Sequence, residues 1–353
     1  MYKVMNKKLF VGIDFSKETF DAAILKVSEE SSIDPKIIGN EQFKNDVPGC
    51  KRFVKWLNKT CALSGDYSSV LVGGEDTGNY SITLPKQLYV LGIDCSLQNA
   101  YSIKCGSGKI VRDKTDKIDA EKIAYYFYRF RDQIRLYKPL SKDMESLERL
   151  YSYRYGQVRE RARLKCQIKE YKHILKSEPN DETLKFMIQR LEKQERFLKK
   201  EIKAIEAKMV EIIKANEELN EIHKCLLSIP GIGKITSLLL IVVTRGFTRF
   251  DNPKQLACFL GVSPHPNQSG TSVQNGNHRS WFADPYFASL LHMAALSASR
   301  FNSKFIDYKK KLKSKGKPHL LIMNNIKNKL LTVAFTIATR RTKFYSDYDA
   351  KRA

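Results

Sequence analysis

Apolar residues recur along this chain in three different rhythms. Between residues 8 and 130 they come in short runs broken by polar turns. Leu9-Phe10-Val11-Gly12-Ile13 reads as a strand, residues 20–27 as a second and residues 36–43 as a weaker third. Their close spacing predicts an antiparallel meander. Pro48 opens a predicted helix to residue 57, with Phe53, Val54 and Leu57 on one face. Residues 69–72 read as a short buried strand running into Gly73-Gly74-Glu75. A helix near 80–89 (interrupted by Pro85), a strand at 92–97 and a helix at 117–130 complete the stretch.

From 142 to 225 the rhythm lengthens. Glycine almost vanishes, and Leu184, Ile188, Leu191, Glu195, Leu198, Ile202, Ile205, Met209 and Ile212 alternate four and three apart. That spacing is a coiled-coil seam with one polar position. A less regular helix over 144–176 carries Leu164, Ile168, Tyr171 and Leu175, and Pro179-Asn180-Asp181 separates the two. A long antiparallel helical hairpin is the simplest arrangement, with oligomerisation through it the next.

The third rhythm, 226–345, begins at Ile229-Pro230-Gly231-Ile232-Gly233-Lys234, a tight glycine turn before an apolar helix at 235–243. A short helix at 252–260 follows, then a polar loop over 261–277, then helices near 284–298, 303–312 and 320–339. The predicted class is therefore α/β plus α. The N-terminal order of three strands, helix, strand, helix, strand, helix is that of a ribonuclease-H-like domain. Predicted boundaries are 1–135 for this domain, 142–225 for the helical hairpin, 226–345 for a mostly helical C-terminal domain and 346–353 for a tail.

Composition adds a partner. The chain has 353 residues, 62 Lys+Arg against 38 Asp+Glu and a net charge of +24, with a pI near 9.6. Such a balance favours nucleic acid. From Arg300 onward there are 15 basic and 3 acidic residues, an excess equal to half the net charge. A membrane is not expected, because the longest apolar run, 235–243, is roughly half of what a span needs. The seven cysteines form no C-x-x-C pair and the N-terminus has no signal-peptide core, so a reducing cytoplasm is the expected compartment.

Against this basic background, Asp14, Glu75, Asp116 and Asp119 are candidate metal ligands and catalytic residues. Asp14 and Glu75 end apolar strands. Asp116 and Asp119, three apart, project from one helical face. Clustered carboxylates suit Mg2+, as two ions, with Mn2+ as a substitute, in cutting a phosphodiester. The plain alternative is surface acids, with Asp116 a helix cap. Asp76, Asp94 and Asp113 are the neighbours able to replace a misassigned member. Gly231, Gly233 and Lys234 resemble the turn of helix-hairpin-helix modules, where backbone N–H groups meet phosphate. A plain inter-helix turn is the equal alternative. The loop Ser263-Pro264-His265-Pro266-Asn267-Gln268-Ser269-Gly270 reads, on composition, only as a turn-forming segment.

The whole constellation resembles the DEDD-type transposases of bacterial insertion sequences, the IS-one-ten family, which includes Piv-type DNA invertases. Gly12-Ile13-Asp14, Glu75-Asp76-Thr77-Gly78-Asn79-Tyr80 and Lys114-Thr115-Asp116-Lys117-Ile118-Asp119-Ala120 look like its RuvC-like domain. Ile229-Pro230-Gly231-Ile232-Gly233, Phe259-Leu260-Gly261-Val262-Ser263-Pro264 and Ser269-Gly270 look like its C-terminal transposase domain. The resemblance implies that Asp14, Glu75, Asp116 and Asp119 are its DEDD acids and that Ser269 is a nucleophile linking covalently to DNA. It further implies double-stranded donor and target DNA as substrates, a bridge-type guide RNA, and a homo-oligomer, dimer or tetramer, whose active site combines domains of two protomers. Where family members carry Ser-Lys after the serine, Val273-Gln274 stand here, so the loop's basic contact falls to Arg279, and Ser272 or Ser263 is an alternative nucleophile. His265 and His278 flank the loop without an assigned role. The rival functions are a Holliday-junction endonuclease that uses water, a DNA invertase, and a nucleic-acid-binding scaffold.

Overall fold

The computed structural model describes residues 7–27, 35–106, 115–269, 273–279 and 284–345, with the backbone alone over 265–269 and 273–279. It divides into two compact units, Met1–Pro139 and Leu140–Ala353.

The first unit is a five-stranded sheet with helices on both faces. Strands β1 (Leu9–Phe15), β2 (Thr19–Lys26) and β3 (Lys36–Lys44) form the antiparallel meander, and β4 (Val70–Glu75) and β5 (Cys95–Gln98) add parallel to β1 in the order β3-β2-β1-β4-β5. That is the ribonuclease-H-like order. Strand period splits the core in two. Val11, Ile13 and Phe15 face helices α1 (Val47–Cys61) and α2 (Thr83–Val90), meeting Phe53, Leu57, Leu84 and Leu88. Phe10, Leu25 and Leu71 face the other way, under Ile123 and Phe127 of α4 (Asp116–Arg129). A short helix α3 (Ala100–Gly106), not anticipated from the sequence, lies between β5 and α4.

Local chemistry sets the helix ends. Asp46 caps α1 through Gly49 N–H at 2.6 Å, with Pro48 in the first turn, where its missing N–H costs nothing. Pro85 is likewise accommodated because α2 starts only at Thr83, after a 3-10 turn over Gly78–Ser81.

The second unit opens with the hairpin of α5 (Lys142–Ser177) and α6 (Glu182–Ala215), capped at Asp181 through Leu184 N–H at 3.0 Å. Ile188, Ile202, Ile205 and Met209 are buried along the seam, and Leu164 meets it from α5. The polar seam position Glu195 accepts from Arg161 Nε across the hairpin at 2.7 Å, so its charge is paired rather than stranded. Near the end of α6 burial passes from Ile212 to Ile213, where the helix joins the C-terminal core.

That core surrounds α8 (Lys234–Thr244), buried on every side from Ser237 to Thr244, together with α7 (Glu217–Leu227), α9 (Pro253–Phe259), α10 (Pro285–Phe301), α11 (Ser303–Ser314) and α12 (His319–Arg340). One expectation is corrected here. Most of the polar 261–277 stretch is a hairpin, β6 (Pro264–Ser269) paired antiparallel with β7 (Val273–Arg279). A two-stranded ribbon has two edges, which tolerate Pro264 and Pro266, and it needs no apolar alternation for its backbone to pair. The 346–353 tail lies outside the described residues. No helix among the described residues is long and apolar enough to cross a membrane.

Candidate active site

Two glycines and a strand register assemble the carboxylates. A Cβ on Gly12 would stand 2.1 Å from Ala120 O, and one on Gly73 would stand 2.1 Å from the Phe127 ring. Helix α4 therefore rides directly on β1 and β4. Asp14 is two residues beyond Gly12 on the same face of β1. Asp116 is one helical turn before Ala120, and Asp119 is adjacent to it. Parallel pairing of Ile13 with Gly74 brings Glu75 beside Asp14 at the ends of neighbouring strands. Asp14 and Glu75 thus lie at the ends of neighbouring strands, on the face covered by α4, whose first turn carries Asp116 and Asp119.

Their electrostatics follow from this placement. Burial pushes the Asp14 carboxyl up to about 6, and the charges of Asp116, Asp119, Glu75 and Asp21 push in the same direction. Asp21 was missed by sequence reasoning. It lies directly opposite Asp14 in the β1–β2 register and accepts from Gln42 Nε2 at 2.9 Å. No local pattern marks it, because only strand pairing brings it there.

Asp116 is not the helix cap. Thr115 takes that place, its hydroxyl accepting from Ile118 N–H at 3.3 Å, which leaves the exposed Asp116 carboxylate to the site. Asp119 is held by Lys122 Nζ at 2.8 Å. Among the described residues no three His, Cys, Asp or Glu side chains converge tightly enough to hold one ion. The acids share a field without sharing a point. As a donor set, carboxylate oxygens around a half-buried Asp14, whose proton is held by burial and then by like charges, suit a hard divalent cation, which would relieve the repulsion.

Of the replacement acids, Asp94 is engaged by Lys7 at 2.7 Å, and Asp76 hydrogen-bonds Gly78 N–H at 3.2 Å within its own turn. Asp113 lies outside the described residues, as does Ser272.

The remaining selected residues belong to the second unit. Gly231 has φ +95°, and a Cβ there would meet Ala294 O at 2.4 Å, so this glycine serves close packing against α10. Gly233 is exposed with open space where a Cβ would be, and it precedes α8 without a side-chain cap. Lys234, the first residue of α8, is exposed beside the helix's unpaired N–H groups. Ser269 ends β6 opposite Val273, next to the turn. Arg279 pairs with Pro264 at the other end of the ribbon, and His265 with His278 one step in.

The strand order, with α4 packed on the central strands, defines the first unit as a ribonuclease-H-like domain. Residues 11–175 match the DEDD transposase family of IS110 elements, and residues 223–310 match the Transposase IS116/IS110/IS902 family. The chain belongs to this family of transposases, which are DNA-recombining enzymes. Over 349 residues it is 25% identical to the pilin gene-inverting proteins of Moraxella bovis and Moraxella lacunata, covering 96% of this chain and 98% of each relative. Over 134 residues it is 24% identical to an insertion element IS110 uncharacterized protein of Streptomyces coelicolor, 38% of this chain and 33% of that one. The Thermus thermophilus RuvC structure aligns with 36% of this chain and 99% of its own at 10% identity and TM-score 0.28.

Proposed function

We propose that this protein cuts and rejoins DNA strands through a metal-assisted serine mechanism, guided by a bridge-type RNA. The observation that carries the reading is that Asp116, Asp119 and Glu75 all act electrostatically on the half-buried Asp14, in a chain of net charge +24. Asp14, Glu75, Asp116 and Asp119 are the residues that would hold Mg2+, which when bound would supply positive charge to the scissile phosphate and the leaving oxygen. Ser269 Oγ forms a bond to phosphorus as the P–O3′ bond breaks. The serine proton passes to a base, and the 3′ oxygen leaves as a hydroxyl after taking up a proton. The phosphoserine link conserves the bond energy for joining a new strand. Open N–H groups at Gly233 and Lys234, Arg279 on the ribbon and the basic segment beyond Arg300 contact the nucleic-acid backbone.

Inversion is the second reading, supported by full-length similarity to two pilin gene-inverting proteins. It uses the same chemistry on two sites in one molecule.

The test is a denaturing gel of protein, labelled donor and target DNA, Mg2+ and RNA from the flanking region, comparing wild type with Ser269→Ala. A protein-linked DNA band absent from the variant supports the serine mechanism. Cleavage with no adduct, unchanged in Ser269→Ala, would mean a nuclease that uses water.

A further inference from the structure

A cavity of about 270 Å3 opens in the second unit, lined by Tyr151, Ser152, Arg249, Phe259, Asp284 and Phe287 among others. Neither the carboxylate edge nor the serine chemistry uses it. Its place is informative. Phe259 ends α9 five residues before β6 begins, and Asp284 stands five residues after β7 ends, so two of the lining residues flank the ribbon in the chain.

Its lining is built for a flat, polar-edged ring. The Arg249 guanidinium lies over the Phe259 ring at 4.7 Å and over the Phe250 ring at 5.6 Å, and the two rings are 5.3 Å apart. Arg249 Nη1 also donates to Val243 O at 3.4 Å, which fixes the plane. Phe259 nonetheless remains 44% exposed. A large aromatic held by a cation yet left open to water is a stacking platform, because every base has a π face to place on it. Across the cavity, Asp284 Oδ1 accepts from Tyr286 N–H at 2.8 Å and Tyr155 O–H at 3.4 Å, while Oδ2 makes no hydrogen bond among the described residues. An acceptor so placed suits the amino group of adenine, guanine or cytosine.

We infer that this cavity receives a single unstacked nucleobase, stacked on the Arg249–Phe259 platform with its amino edge toward Asp284. A base seated there registers a nucleic-acid strand against the ribbon that carries Ser269. The inference rests on the nucleic-acid reading above and adds to it a site for one base.

The test measures binding of full-length protein to three short single strands: cytosine-bearing DNA, cytosine-bearing RNA, and abasic DNA with the same backbone. Two variants are compared with wild type. Phe259→Leu keeps apolar packing but removes the ring face, and Ser152→Trp fills the cavity from an exposed position of α5. Both are expected to bind base-bearing strands about tenfold more weakly and the abasic strand as wild type does. The polymer that shows the loss, DNA or RNA, is the source of the base. Loss in neither, or equal loss on the abasic strand, overturns the base pocket while leaving the nucleic-acid reading in place. Failure of wild type to bind any single strand likewise overturns the base pocket, while the nucleic-acid reading falls only if the donor and target duplexes are not bound either.

Discussion

Asp14 is the residue on which the site's electrostatics turn. Its carboxyl is raised from 3.8 to about 6, so between those pH values the folded chain holds a proton that the unfolded chain has released. The sign follows: Asp14's contribution to stability is greatest at low pH and falls as pH rises through that window. In metal-free protein the melting temperature should therefore fall more steeply from about pH 4 to about pH 6 in wild type than in Asp14→Asn. A wild-type profile no steeper than the variant's would show that Asp14 ionises normally. Added Mg2+ should reverse the loss above pH 6 in wild type only, since the ion favours the ionised form. At this scale the sequence was legible in part. Asp14, Glu75, Asp116 and Asp119 stand out because strand ends and a helical i, i+3 pair are local patterns. Asp21 does not, because its neighbour Asp14 is reached across a strand pairing. Thr115, in place of Asp116, as the cap of α4 was likewise beyond sequence, since either side chain can cap.

The element that decides the site is the pairing of α4 with the glycine-bearing strands. Gly12→Ala would press a methyl into backbone atoms of Ala120 and Ala124, which cannot rotate aside. The substitution should cost about 3 kcal/mol and separate Asp14 from α4. Chemical denaturation of the purified variant would measure the first effect and loss of DNA cleavage the second; wild-type stability would contradict the close approach. In the helical hairpin, Arg161 and Glu195 are each mostly buried and joined at 2.7 Å. A double-mutant cycle with Arg161→Ala and Glu195→Ala should return a coupling of about 1 kcal/mol, and zero coupling would make Glu195 a merely tolerated seam defect. The seam itself was readable from heptad spacing. The 261–277 hairpin was not, because its strands are polar and carry two prolines, and ribbon pairing leaves no periodic trace in side-chain character.

For the whole molecule, charge is the quantity that acts at a distance. Lys310, Lys311, Lys313, Lys315 and Lys317 are exposed on and just after α11. Replacing Lys310, Lys311 and Lys313 with Gln should weaken DNA binding and lower the slope of log K against log salt by roughly 0.9 for each phosphate no longer neutralised. An unchanged slope would remove that surface from the interface. The chain by itself determined its α/β-then-helical division, its coiled-coil seam, its strong positive charge and the local patterns that single out Asp14, Glu75, Asp116 and Asp119 as candidates. Those properties are carried by local periodicity, composition and capping chemistry, each confined to a few consecutive residues. Only the tertiary structure decided that α4 lies on Gly12 and Gly73, that Asp21 joins the carboxylates, that Gly231 packs against α10 and that a cavity opens among Tyr151, Arg249, Phe259 and Asp284. Each of these brings together residues far apart in the chain, and strand register and helix packing, not local sequence, set such distances.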